Sequence, residues 1–247
     1  MNMKMNEEVK YLNKKAEAVH PAVIAIWAAL IAVAHLLPTI PLVVTGGSFT
    51  VSAAFLPLAG IFFGPAAGAL CAAIGGFIGN LIAPQSAWLG LGTFIIGTTN
   101  AFTTGLLSRG KWLQGVAVII LGVILWFTTA IGREALLYPA VVYSLGIIAA
   151  ILGGLLGKRW LVSQKRVLQL VVVWLIAFAG FIAAAGVGNY FGIVVRQTPA
   201  EIWNMLAFVS PTERAVFSLG SALIGVPLLA ALPKIAIFVG PSDEEEI

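Results

Sequence analysis

Charge is what this chain has least of. Of its 247 residues, 10% are Asp, Glu, Lys or Arg, whereas 60% are hydrophobic, and the mean hydropathy is +1.02. Soluble domains carry about 25% charged residues, so a water-exposed globular surface is excluded. Several uninterrupted apolar runs are long enough to span a bilayer, where a helix satisfies its own backbone groups. Cysteine is almost missing too: Cys71 stands alone, which excludes an intrachain disulfide and a thiolate metal cluster. There are two histidines, His20 and His35. Neither His-Glu-x-x-His nor Gly-x-Ser-x-Gly occurs, so no catalytic residues, cofactor or metal site are expected. Gly105-Leu106-Leu107-Ser108-Arg109-Gly110-Lys111 imitates the start of a phosphate-binding loop. However, Trp112 stands where a magnesium-binding hydroxyl is needed, and no strand precedes it. The net charge of +4 does not point to nucleic acid, because the basic residues sit in short clusters between apolar runs.

What is there reads as an all-α integral membrane protein of about eight transmembrane helices. Residues 1–20 form a polar, cytoplasmic N-terminal segment, expected as a short amphipathic helix. The spans run over residues 22–37, 51–63, 64–83, 89–107, 113–131, 135–156, 167–190 and 215–232. The first apolar run is too long for the core of a cleaved signal and is read as a retained span. The second has only thirteen residues, about 20 Å at 1.5 Å per residue, short of the roughly 30 Å hydrocarbon core. Charge bias decides whether it crosses. With eight crossings, eleven basic residues face the cytoplasm (Lys4, Lys10, Lys14, Lys15, Arg109, Lys111, Lys158, Arg159, Lys165, Arg166, Lys234) and three face out (Arg133, Arg196, Arg214). With seven crossings the split is even, and the positive-inside rule favours the first arrangement. Both termini are then cytoplasmic in a plasma-membrane protein, and 239–247 is an acidic tail. An outer loop over 191–214 is expected to begin a helix at Pro199-Ala200-Glu201, laying Ile202, Trp203, Met205, Leu206 and Phe208 on the membrane surface. No ionisable residue lies well inside any expected span, which speaks against a self-powered secondary transporter.

The stretch from Phe63 to Asn80 organises the chain. Gly64, Gly68, Ala72, Gly76 and Asn80 recur every four residues and share one helical face. Such a seam lets neighbouring helices approach backbone to backbone, and it ends in an amide. A second seam, the pairs Ala25/Ala29 and Ala28/Ala32 in the first span, suits either a foreign helix or internal packing. Polar chemistry gathers on the outer side: Thr45, Ser48 and Thr50 in the first loop, and Asn80, Gln85 and Trp88 at the second. Trp126, Thr128, Thr129, Arg133, Glu134, Tyr138 and Tyr143 flank the third turn. Asn100 lies near the middle of the fourth span, and His35 near the outer end of the first. Aromatic rings with a few hydrogen-bonding groups commonly line a site for a small organic ligand, although Trp and Tyr at membrane ends also serve as anchors.

Phe63-Gly64-Pro65-x-x-Gly68-Ala69, Gly75-Gly76-x-x-Gly79-Asn80, the loop after a proline-closed first span and the alanine pairs together resemble a family: the substrate-binding (S) components of energy-coupling factor transporters. The resemblance covers residues 21 to about 160, a six-helix core. It implies a micronutrient such as a vitamin bound in the outer half, capped by the first outer loop, with helices four to six as walls. Carried over by position, the substrate-binding residues are Thr45, Ser48, Gln85, Trp88, Asn100, Trp126, Arg133, Glu134 and Tyr138. Gly64, Gly68, Ala72 and Gly76 would pack helices. Ala25, Ala28, Ala29 and Ala32 would dock a transmembrane coupling subunit driven by two ATPase subunits. The two spans in 161–238 depart from the six-helix pattern, either as an appended pair shielding one flank or as a sign of a different parsing. Two alternatives are weighed: a stand-alone channel, facilitator or secondary transporter for a small solute, and a membrane enzyme or assembly factor without a ligand.

Overall fold

A computed structural model describes residues 19–37, 39–41, 48–235, 237 and 239–241; the expected amphipathic N-terminal helix, Thr45 and most of the acidic tail lie outside them. Helix α1, Pro21–Ala34, starts on a proline, and the preceding His20 accepts a hydrogen bond from the Ala22 amide at 3.2 Å. Its buried residues Trp27, Ala28, Ile31 and Ala32 recur at helical spacing and so share one face. The first outer loop contains a small antiparallel hairpin, β1 (Thr39–Pro41) with β2 (Ser48–Thr50), in which Thr39 faces Thr50. A 3-10 turn, Val51–Ala54, leads into α2, Phe55–Ile82.

Helix α2 is broken at Gly64, whose φ of 83° and ψ of 178° are not helical. Only glycine reaches that region without strain, and Pro65 supplies no amide to continue the ladder. The chain turns back on itself there. A Cβ placed on Gly68 would lie 2.6 Å from the Ala59 carbonyl oxygen, whereas in a straight helix residues nine apart are about 13 Å apart. Residues 55–63 and 65–82 are thus two limbs of a tight helical hairpin. The first limb ends with unpaired carbonyls, and Arg109 satisfies two of them: Nη1 donates to Ile61 O at 3.1 Å and Nη2 to Phe62 O at 3.4 Å. An arginine expected only as a topology signal therefore also closes a helix end.

A short extended segment, Trp88–Leu91, follows, so the expected fourth span begins later, as α3 over Phe94–Ser108. Helix α3 packs against both limbs: Gly97 faces Leu56, Gly60 faces Ala101 and Thr104, and Gly76 faces Phe94. Helices α4 (Trp112–Phe127), α5 (Ala130–Glu134) and α6 (Leu137–Leu161) come next. The expected tight turn at Gly132-Arg133-Glu134 is the short α5.

The last two helices are α7, Arg166–Arg196, and α8, Ala200–Ala231. Every residue of α7 from Ile176 to Gly186 is buried, as in a helix surrounded on all sides. Its Gly180 abuts α3, Gly186 meets Gly122 of α4, Ile176 and Ile182 fill against Gly153 and Gly146 of α6, and Trp174 Nε1 donates to Ala215 O of α8 at 2.9 Å. The pair is therefore not an appendage on one flank; α7 runs through the middle of the bundle.

The expected outer loop over 191–214 is replaced by helix. Only residues 197–199 connect α7 to α8, with Gln197 as a left-handed C-cap at φ 51°. Trp203 and Leu206 do not lie on the membrane surface as expected: they are buried, while Met205 and Phe208 are exposed. The Trp203 ring packs edge-on to Trp126 and Tyr138, with centroids at 5.1 and 5.3 Å. Consequently Glu213 and Arg214 fall near the middle of α8, correcting the expectation that no charge lies inside a span. The segments Val51–Ile82, Leu137–Leu161, Arg166–Arg196 and Ala200–Ile235 are long and apolar enough to cross a membrane, and Pro21–Ala34 and Trp112–Phe127 are shorter apolar helices. The chain is an all-helical, multi-pass membrane protein apart from its short strands.

Candidate functional site

At the end of the bundle away from Arg109 and Lys111, four helices, the end of β2 and the turn after it line a cavity of about 110 Å3. The end of α1 contributes His35, β2 contributes Thr50, and the turn after β2 contributes Ser52. The second limb of α2 contributes Gly76 and Asn80, α3 contributes Phe94, Gly97 and Asn100, and α7 contributes Phe181 and Ala184. Ser86, in the turn after α2, and Thr93 complete its polar lining. No charged side chain is among the described residues lining it.

The polar groups fall into two sets. One set is internally satisfied. His35 Nδ1 lies 2.8 Å from Ile31 O; a carbonyl only accepts, so Nδ1 carries the proton and Nε2 is left as the acceptor. Ser52 Oγ, 3.3 Å away, donates to that Nε2, and Ser52 in turn pairs with the Thr50 hydroxyl. Glycine makes room for this chain: a Cβ on Gly79 would fall 2.5 Å from His35 Nδ1.

The other set is unsatisfied. Asn80 is 3% exposed and Asn100 is 1% exposed. Asn80 Nδ2, Asn80 Oδ1 and Asn100 Oδ1 have no hydrogen-bond partner. Each buried, unpaired polar group costs about 1–3 kcal/mol, and such groups are rare enough in native proteins that each asks for an explanation. Both residues are fixed by their helices: Asn80 ends the Gly68-Ala72-Gly76 face, and Asn100 is held against α7. Both residues are among those that line the cavity, and their unpaired amide atoms comprise a donor and two acceptors.

The sequence-derived residues separate in space. Asn100 lines the cavity. Gln85 is exposed in the 3-10 turn Pro84–Ser86, next to the lining Ser86. Trp88 opens the extended segment after it, and Ser48 pairs with Pro41 across the hairpin. Trp126 and Tyr138 belong elsewhere: they stack at 4.9 Å in an aromatic cluster with Tyr143 and Trp203. The polar ends there are largely paired. Trp126 Nε1 donates to Gly132 O at 2.8 Å, and Asn189 Nδ2 donates to the Tyr138 hydroxyl at 2.9 Å, which also meets Ser210 Oγ at 3.1 Å. Arg214 Nη1 donates to Ser210 O at 3.0 Å, while its Nε remains buried and unpaired. Arg133 and Glu134 are exposed on α5.

The helix-packing glycines meet backbone or side chains closely: Gly68 at Ala59 and Gly60, and Gly76 at 3.3 Å from Phe94 Cβ to a built Cβ. Ala72 is fully buried. Of the four alanines on α1, Ala28 and Ala32 are buried, with the Ala28 carbonyl against Gly75, whereas Ala25 and Ala29 are exposed. Sequence reasoning left Ser52, Phe94, Phe181 and Ala184 out of the site. Asn80 carried a readable signal as the polar end of a period-four seam; the others carried none.

The bundle thus combines a small cavity at one end with a first helix that leaves Ala25 and Ala29 exposed. The family model described as ECF-type riboflavin transporter, S component, matches residues 17–151, more than half of the chain, and the chain belongs to that family of S components. Membership of a family of membrane proteins agrees with the long apolar helices of the fold. An uncharacterized protein of Methanocaldococcus jannaschii is 24% identical over 159 residues, covering 64% of this chain and 53% of the relative. The chain thus spans about half the length of that curated relative. No solved structure matches.

Proposed function

We propose that this S component captures a small, uncharged, ring-bearing vitamin in the cavity between α1, α2, α3 and α7, and that ATP hydrolysed by partner subunits drives its uptake. The observation that carries this reading is the trio of buried, unpaired amide atoms on Asn80 and Asn100, two residues that line this one cavity. A flat heterocycle with neighbouring donor and acceptor atoms pairs with them, and Phe94 and Phe181 offer apolar surface beside it. Riboflavin, the substrate for which the matching family is named, has such an edge. The cavity is below the 300–1,000 Å3 usual for ligands of that size, so a whole vitamin requires the walls to part, and the β1–β2 hairpin is the natural cap.

Eight crossings follow if α1, both limbs of α2, α3, α4, α6, α7 and α8 each traverse the bilayer. The hairpin reversal at Gly64 supports counting its limbs separately. Eleven of the 14 basic residues then lie on one side, which supports cytoplasmic termini and an outward-facing cavity. Ala25 and Ala29, exposed on α1, form the face for a transmembrane coupling subunit, itself joined to two ATPase subunits; Ala28 and Ala32 pack internally.

The test is direct. Protein purified in detergent is extracted for bound small molecules, identified by mass spectrometry, and ligand-free protein is titrated with riboflavin by quenching of its fluorescence. Saturable binding that weakens at least tenfold in Asn80→Ala and Asn100→Ala supports the proposal. No co-purifying molecule together with no saturable binding overturns it, and riboflavin flux into ATP-free liposomes by the chain alone replaces it with a facilitator.

A further inference from the structure

We infer that α7, a helix beyond the family-matched residues 17–151, decides which ligand the cavity accepts: Ala184 and Phe181 set its size, and Gly180 positions the Asn100 carboxamide. This rests on the cavity reading above and extends it to a part of the chain that the six-helix pattern does not include. Phe181 and Ala184 are 5% and 3% exposed and line the cavity together with Gly76 and Asn80. A Cβ on Gly180 would lie 2.7 Å from Asn100 Oδ1 and against the Thr104 methyl. Under 3.0 Å something must shift, and the Thr104 hydroxyl is itself tied to Pro57 O at 3.0 Å and Asn100 O at 3.1 Å. The carboxamide of Asn100 therefore keeps its direction because α7 presents a hydrogen atom there. The ring of Phe181 and the methyl of Ala184 form the rest of that wall. Ala184→Leu adds three carbons to the wall of a cavity of only about 110 Å3.

Gly180 and Ala184 act here as positioning and size-limiting residues, so the readout must be selectivity and not binding alone. Full-length protein and the variants Ala184→Leu, Phe181→Ala and Gly180→Ala are titrated with uracil, lumichrome and riboflavin, neutral rings of rising size that share an imide edge. Thermal midpoints confirm folding, and Val194→Leu on the exposed side of α7 serves as a control. The expected result is that Ala184→Leu weakens the larger probes at least tenfold relative to uracil. Phe181→Ala shifts preference the other way, and Gly180→Ala weakens every probe that binds. Affinities and rank order within twofold of the parent in all three variants overturn the role of α7. If Asn80→Ala and Asn100→Ala still abolish binding in that case, the cavity stands and only the α7 inference falls. A parent protein that binds none of the three probes overturns both.

Discussion

Replacing Asn80 by leucine separates a binding group from a structural one. Asn80 is buried with both amide atoms unpaired, and leucine has nearly its shape without its polarity. Each orphaned group costs about 1–3 kcal/mol, and swapping it for an apolar group of the same shape is close to neutral or stabilising. A water in the cavity that pairs with the amide recovers part of that cost. The ligand-free Asn80→Leu protein is therefore expected to be between unchanged and about 3 kcal/mol more stable. At about 2–4 °C per kcal/mol for a chain of this size, the thermal midpoint stays level or rises by several degrees. Ligand affinity moves the other way, falling at least tenfold, or about 1.4 kcal/mol. Thermal unfolding of the detergent-purified apo protein and a ligand titration on the same sample read both. A midpoint that drops with affinity intact refutes the reasoning, because it shows that the Asn80 amide holds the fold and not the ligand.

Two further outcomes test the architecture. Gly64→Ala forces a side chain into a conformation with φ 83° and sets its Cβ 3.3 Å from the Arg109 guanidinium. A loss of about 1–3 kcal/mol should appear as a lower thermal midpoint, and an unchanged midpoint would mean that the reversal between the limbs of α2 does not depend on this residue. Ala29→Trp, on the exposed face of α1, should abolish uptake in cells while leaving ligand affinity intact, whereas Ala32→Trp, at a position 4% exposed, should fail to fold. Unaltered uptake by Ala29→Trp removes the docking role of that face.

Much of the fold was legible because the bilayer makes hydropathy a strong signal. The boundary between the second and third expected spans fell at Gly64, but the helical face expected from Gly64 through Gly68, Ala72 and Gly76 begins only after it, because its φ of 83° takes Gly64 out of the helix. The loop expected over 191–214 was not legible as helix. Glu201, Asn204, Ser210, Thr212, Glu213 and Arg214 lower its hydropathy, and only the partners show why it is ordered. Trp203 packs in the aromatic cluster, Leu206 is buried, and Arg214 donates to Ser210, whose hydroxyl pairs with that of Tyr138. The site divided in the same way. Asn100 and the end of the Gly68-Ala72-Gly76 seam pointed at the cavity. Trp126 and Tyr138 share its side of the bundle, yet α7 lies between the two clusters, with Phe181 facing the cavity and Asn189 facing the aromatics.

By itself, the sequence determined that the chain lives in a membrane as apolar helices, that one span gives way to the next at Gly64, and which of its helices carry small-residue faces. Those properties depend on local composition and period, which neighbouring residues in the chain supply. Only the tertiary structure decided which alanine pair of α1 is exposed, that α7 is central, and which amides lack partners. Each of those depends on what a side chain meets across a helix interface, among residues far apart in the chain.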